Sequence, residues 1–116
     1  MSLALSVKQL NQLIEQKRLV DGIEAFYADD VAMAEAGAEP MVGKDANRAR
    51  EEAFQGGLTK WDARLVASAV DETTGTALNQ WLIDFEHAQW GPGTLNQVAV
   101  QQWRDGRIVR ESFYKF

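Results

Sequence analysis

The feature that most constrains this chain is a change of period at residue 57. Before "FQGG" apolar residues recur at three- and four-residue spacings, and after Gly57 they alternate. These are the periods of a helix and of a half-buried strand. The alternation continues almost to the C-terminus and is interrupted at "ETTG", "GPG" and "DG". Such glycine-bearing breaks punctuate hairpins, so four strands are predicted, at Thr59 to Asp71, Thr76 to Trp90, Thr94 to Arg104 and Arg107 to Phe116. Asp105-Gly106 is the sharpest turn signal, because a two-residue hairpin of matching twist needs positive φ at both positions. Strands well beyond the usual length of about five or six residues require a sheet that coils or bulges.

The first half reads as helices around one short strand. Ser6 with Gln9 forms a capping box and Leu5 can staple to Leu10, which starts a helix over Val7 to Arg18 with Leu10, Leu13 and Ile14 on its apolar face. Asp21 with Glu24 repeats the device and opens a second helix that buries Ile23, Phe26 and Tyr27 before stopping near "ADD". "VAMAEAG" is a strand closed by Gly37 and Pro40. "KDANRAREEAF", Lys44 to Phe54, is a third helix capped by Asp45 and stopped by Gly56-Gly57, with a thin face of Ala46, Ala49, Ala53 and Phe54. Helices first and an antiparallel meander afterwards predict an α+β domain, its helices packed on one face of a curved sheet. A coiled sheet closed by helices encloses a cone, and its interior is where a ligand would bind.

Composition narrows the function classes. At 116 residues the chain is one domain, 1–116, large enough to fold on its own core. It has no cysteine, which excludes disulfides, thiol nucleophiles and cysteine-bound metals. Seventeen acidic against twelve basic residues give a net charge of -5, and the arginines are scattered, so nucleic acid is not an expected partner. No apolar run reaches the roughly 20 residues of a membrane helix, and "MSLALSVKQL" lacks the basic flank of a signal peptide. A soluble cytoplasmic protein is expected.

"FYADDV", the following strand, "PMVGKD" opening a helix and the C-terminal hairpin "QQWRDGRIVRESFY" together resemble the nuclear transport factor 2-like superfamily, in its SnoaL-like polyketide cyclase and ketosteroid isomerase-like branch. The resemblance covers nearly the whole chain in element order. It implies a cystatin-like α+β cone with an apolar pocket, homodimers made through the outer sheet face, and a membership of isomerases, cyclases and dehydratases. In ketosteroid isomerase-like members the strand after "YADD" carries the general base, which this pattern places at Glu35, with Tyr27 near the pocket wall. The tyrosine and acid that stabilise the oxyanion there fall near Asn11 and Ala99, neither of which is an acidic donor.

Alternation selects the inward faces independently. Trp81, Ile83, Phe85 and His87 share one, Gln97, Ala99, Gln101 and Trp103 another, and Val109, Glu111 and Phe113 a third. Trp81, Phe85, Gln97, Trp103, Glu111 and Phe113 are the expected ligand-binding residues, with Trp81 and Trp103 forming a flat slot. Glu35 is the expected base, and Tyr27 and His87, the single histidine, are the polar orienters. Glu111 must be paired, hydrated or neutral, and could share acid and base roles with Glu35. One histidine without cysteine makes a tight transition-metal site unexpected. No nucleophilic triad, phosphate loop or dinucleotide fingerprint occurs, so no cofactor is expected. Two readings stay open: a cofactor-free isomerase, cyclase or lyase acting on a small hydrophobic molecule, or a non-catalytic ligand-binding or dimerisation module. Leu78, Leu82, Val98 and Val100 on the opposite faces point to a homodimer through the sheet.

Overall fold

The computed structural model describes residues 2–116. Helices α1 (Leu3–Glu15) and α2 (Leu19–Phe26) lead into strands β1 (Tyr27–Glu35) and β2 (Met41–Val42) and helix α3 (Lys44–Gly57). Four long strands follow, β3 (Leu58–Asp71), β4 (Thr76–His87), β5 (Gly91–Arg104) and β6 (Arg107–Lys115). They form one sheet in the order β2-β1-β6-β5-β4-β3. Neighbours are antiparallel except β1 with β6, which run parallel. The domain is α+β, as its sequence pattern implies, with the helices on one face of a curved sheet as in the cystatin-like cone that the resemblance implies.

The required curvature comes from ladder slips. β3 shifts against β4 at Leu58/Lys60 and Leu65/Ala67, β5 against β6 at Gln102/Trp103, and β1 against β6 between Tyr27 and Ala32. An unpaired extra residue bends its strand and increases local twist, so the sheet wraps the helices instead of lying flat. The slip beside Trp103 pairs it with Ile108, so Ile108 is fully buried where simple alternation from Glu111 would select Val109. Asp105 and Gly106 both have positive φ, 53° and 77°, as the two-residue hairpin demands.

"GPG" is not the loop expected. Gly91, Pro92 and Gly93 belong to β5 and pair with His87, Glu86 and Phe85, and the turn is made by residues 88–90. Pro92 is tolerated because β6 joins β5 only from Gln97 onward, so that stretch of β5 has a free edge. Gly93 lies under the Phe85 ring, where a Cβ would come within 2.5 Å of it.

The helix starts also differ from expectation. α1 begins four residues early: the Ser2 hydroxyl accepts from the Leu5 N–H, and Glu72, from the β3–β4 turn, accepts from the Leu3 and Ala4 N–H groups. α2 begins at Leu19 rather than at Asp21, since Gln55 Oε1 of α3 accepts from the Leu19 and Val20 N–H groups. Tyr27 opens β1 instead of closing α2. The predicted inner face of α3 holds only at Phe54: Ala46, Ala49 and Ala53 are exposed, and Phe54 shares the inner stripe with buried Asn47 and half-buried Glu51. α3 also continues through both glycines, and glycine is needed at 57 because the His87 ring occupies the space a Cβ there would take, at 2.1 Å.

The core lies at the closed end of the cone, where Val7 and Leu10 of α1 and Ile23 of α2 meet Val31, Trp103 and Ile108 of the sheet. Among the described residues no helix is long and apolar enough to cross a membrane.

Candidate functional site

Toward the other end of the cone the packing leaves a chamber of about 110 Å³ between the helices and the concave face of the sheet. Leu10, Ile23, Trp61, Trp81, Ile83 and Phe113 contribute its apolar wall. Tyr27, Glu51, Gln97, Gln101 and Glu111 supply the polar groups. An apolar cavity with a few convergent polar groups is the usual form of a small-molecule site.

Glu111 is the centre of the polar set. It is 2% exposed, accepts from the Tyr27 hydroxyl at 2.5 Å through Oε1 and accepts from Gln101 Nε2 at 2.7 Å through Oε2. Burial pushes its carboxyl up to about 7, with the charge of Glu51 adding to the rise. The bonds from Tyr27 and Gln101, and the charge of Arg50, oppose it. Tyr27 is raised well above the ordinary phenol, first by burial and then by the Glu111 charge. Tyr27 therefore stays a neutral donor, while Glu111 changes charge near neutrality.

The orientation of this network is fixed from Trp103. An indole N–H can only donate, and it donates to Gln101 Oε1 at 3.0 Å, so the Gln101 amide must turn its NH₂ toward Glu111. Gln101 Oε1 also accepts from Asn79 Nδ2, which leaves Asn79 Oδ1 to accept from Asn11 Nδ2 and from Ser68. The ladder ends at Asn11 Oδ1, a buried acceptor with no hydrogen-bond partner among the described residues. Asn11 is thus the far end of a polar relay that holds Glu111, and Ala99 is part of the chamber wall.

α3 adds a second carboxylate that sequence reading missed. Asn47, Arg50, Glu51 and Phe54 recur at helical spacing; Glu51 and Phe54 line the chamber, and Arg50, bonded to buried Asn47, borders its mouth. Glu51 lines both the chamber and an outer vestibule of about 230 Å³, and burial raises its carboxyl above the ordinary value against the pull of Arg50. The signal was present in the sequence as this i, i+3, i+4, i+7 stripe. A search for apolar residues alone passes over it.

The expected site residues separate into two groups. Tyr27, Trp81, Gln97, Glu111 and Phe113 line the chamber. Glu35 does not: it is on the inward face of β1, but it borders the outer vestibule, where its side chain is 54% exposed and paired with Lys115 at 3.2 Å. Its role as an inward-facing base is therefore corrected, because nothing there removes water from the carboxylate. His87 also lies outside the chamber, stacked on Trp90 at 3.9 Å. Its Nδ1 accepts from the Gln89 and Trp90 N–H groups, so the proton is on Nε2, facing the Ala53 carbonyl. It fastens a turn to α3. Phe85 packs edge-on against Phe54, and Trp103 against Phe26 in the core, so the slot between Trp81 and Trp103 does not exist.

Likeness to known proteins agrees with this geometry at the level of fold. A comparison with curated protein sequences returns no match. Among solved structures, a protein of Mesorhizobium loti described as a SnoaL-like polyketide cyclase superposes with a TM-score of 0.80 at 22% identity, covering 98% of this chain and 99% of that one. An LEH-like epoxide hydrolase of M. tuberculosis gives 0.78 at 15% identity, covering 98% and 82%. A cystatin-fold protein of Novosphingobium aromaticivorans gives 0.78 at 19% identity, covering 97% of each chain. At these identities the likeness is one of fold. The SnoaL-like domain family itself matches residues 7–111, nearly the entire fold, and the chain belongs to that family.

Proposed function

We propose that the chamber binds a small apolar carbonyl compound and that Glu111, backed by Tyr27, moves a proton at the carbon next to the carbonyl. The observation that carries this is a buried carboxylate in an apolar hollow whose ionisation is pushed up to about 7, where acid and base forms coexist at neutral pH. The size of the hollow points to a ligand no larger than one ring, since an engineered apolar cavity of about 150 Å³ takes benzene.

The chemistry follows from the two hydrogen-bonding states of the pair. Ionised Glu111 takes the proton from the α-carbon: the C–H bond breaks, an O–H bond forms on the carboxyl, and the electron pair moves to the carbonyl oxygen. Protonated Glu111 can then donate to the Tyr27 oxygen, which turns the phenolic proton toward the new enolate. Return of the proton to a different carbon completes an isomerisation, and loss of a β-substituent completes a lyase reaction. No cofactor enters these steps.

The alternative is a carrier, favoured by the fact that both Glu111 oxygens already accept a hydrogen bond. Cyclopentanone, a single-ring ketone that the chamber can enclose, separates the two when supplied in D₂O. Catalysed deuterium uptake at its α-carbon, lost in Glu111→Gln and kept in Glu35→Gln, supports proton transfer. Saturable binding without exchange leaves a carrier, and absence of binding removes the ligand site altogether.

The outer sheet face is proposed as the contact between two copies of the chain. Leu78 and Tyr114 are 42% and 50% exposed there, and Val98 and Val100 lie beside them. Light scattering at micromolar concentration should give twice the mass of one chain, and a monomer would refute it.

A further inference from the structure

We propose that the vestibule selects ligands carrying a carboxylate, with the Arg50 guanidinium as the anchor while the apolar end enters the chamber. This rests on the proposed ligand site and adds its substrate class, a short keto acid in place of a neutral ketone. The vestibule and the chamber share Glu51, Leu95, Gln97 and Phe113, so the two are parts of one passage.

Two cations border the vestibule, and they are not equivalent. Lys115 is already paired with Glu35. Arg50 makes no ion pair among the described residues. Its guanidinium is held in place instead: Nη2 donates to Asn47 Oδ1 at 2.9 Å. Asn47 is fully buried, and its amide NH₂ is committed to the carbonyls of Met41 and Gly43, at 3.1 and 2.8 Å. Its oxygen can therefore only accept, and this directs the arginine. A guanidinium has five N–H donors in a planar fork, so one bond to Asn47 leaves a pair for a carboxylate.

The surrounding charges allow an anion here. Glu35 is neutralised by Lys115, and Glu51 is the remaining acid, with a carboxyl that burial makes easier to protonate than usual. The charge of Arg50 acts on both Glu51 and Glu111, which sets it within electrostatic reach of the chamber. A carboxylate on Arg50 and a carbonyl at Glu111 would fix both ends of one small molecule, which is how positioning raises the rate of a proton transfer.

The test is titration calorimetry with 3-benzoylpropionate and its methyl ester, which differ at the carboxylate alone. The acid should bind roughly tenfold tighter at low salt, and that preference should shrink as salt rises while ester binding stays constant. Arg50→Gln should remove the preference without changing ester affinity, and Arg50→Lys should restore part of it. Arg50 is exposed, so the fold tolerates these changes. Equal binding of acid and ester by the unaltered protein overturns the inference and leaves the chamber as a site for neutral ligands. A preference that survives Arg50→Gln and disappears in Lys115→Gln overturns the assignment to Arg50. If neither compound binds, the ligand site itself is refuted, and the anchor with it.

Discussion

Replacing Glu111 by Gln should change how the stability of this domain depends on pH. In the fold the carboxyl ionises near 7, against an ordinary value of 4.5, because burial disfavours its charge. Between those limits the native state holds more protons than the unfolded chain, so stability falls as pH rises. At about 1.4 kcal/mol per pH unit of displacement, ionising Glu111 costs the native state roughly 3 kcal/mol in all, of which roughly 2 to 3 kcal/mol is lost between pH 5 and pH 8. That is a large share of the 5 to 15 kcal/mol or so of a typical domain. Gln keeps the shape and cannot ionise, so the variant should lose this part of the slope. Urea denaturation of both proteins at half-unit pH intervals measures it. The free-energy difference between them should move by roughly 2 to 3 kcal/mol across the window in favour of the variant at alkaline pH. Parallel profiles would refute the buried, proton-binding carboxylate on which the proposed chemistry depends.

Three further outcomes follow from the same contacts. Tyr27→Phe removes a donor to the ionised carboxylate, so it should cost about 1 to 3 kcal/mol at pH 8 and less at pH 5. It should also move the Glu111 titration above about 7, because the Tyr27 bond lowers it, as carbon-13 NMR of the labelled carboxyl would record. Glu35→Gln breaks an exposed pair and should leave stability within about 0.5 kcal/mol in the same denaturation assay; a larger loss would mean that Glu35 is more enclosed than its contacts indicate. Gly57→Ala places a methyl against the His87 ring and should cost about 1 to 3 kcal/mol, visible as a lower melting temperature. An unchanged melting temperature would show that the turn carrying His87 can move aside.

Elements defined by local periodicity were legible in the sequence. The four strands begin and end within a few residues of the breaks at "ETTG", "GPG" and "DG", since alternation and turn chemistry involve neighbours along the chain. The inward placement of Trp81, Gln97, Glu111 and Phe113 follows from the same two-residue period. The helix starts were misread for the opposite reason. The groups that satisfy their first N–H donors are Glu72 and Gln55, dozens of residues away, so the local capping boxes at Ser6 and Asp21 were not decisive.

The sequence by itself therefore determined the α+β order, the long coiled sheet and the burial of an acidic residue on β6. Tertiary structure alone decided which carboxylate is cut off from water. Glu35 and Glu111 both lie on inward faces, but Glu35 borders the open vestibule and pairs with Lys115, whereas Glu111 is enclosed between Tyr27 and its cross-strand neighbour Gln101. Desolvation depends on everything that surrounds a group in space, and periodicity along one strand specifies only the side on which it points.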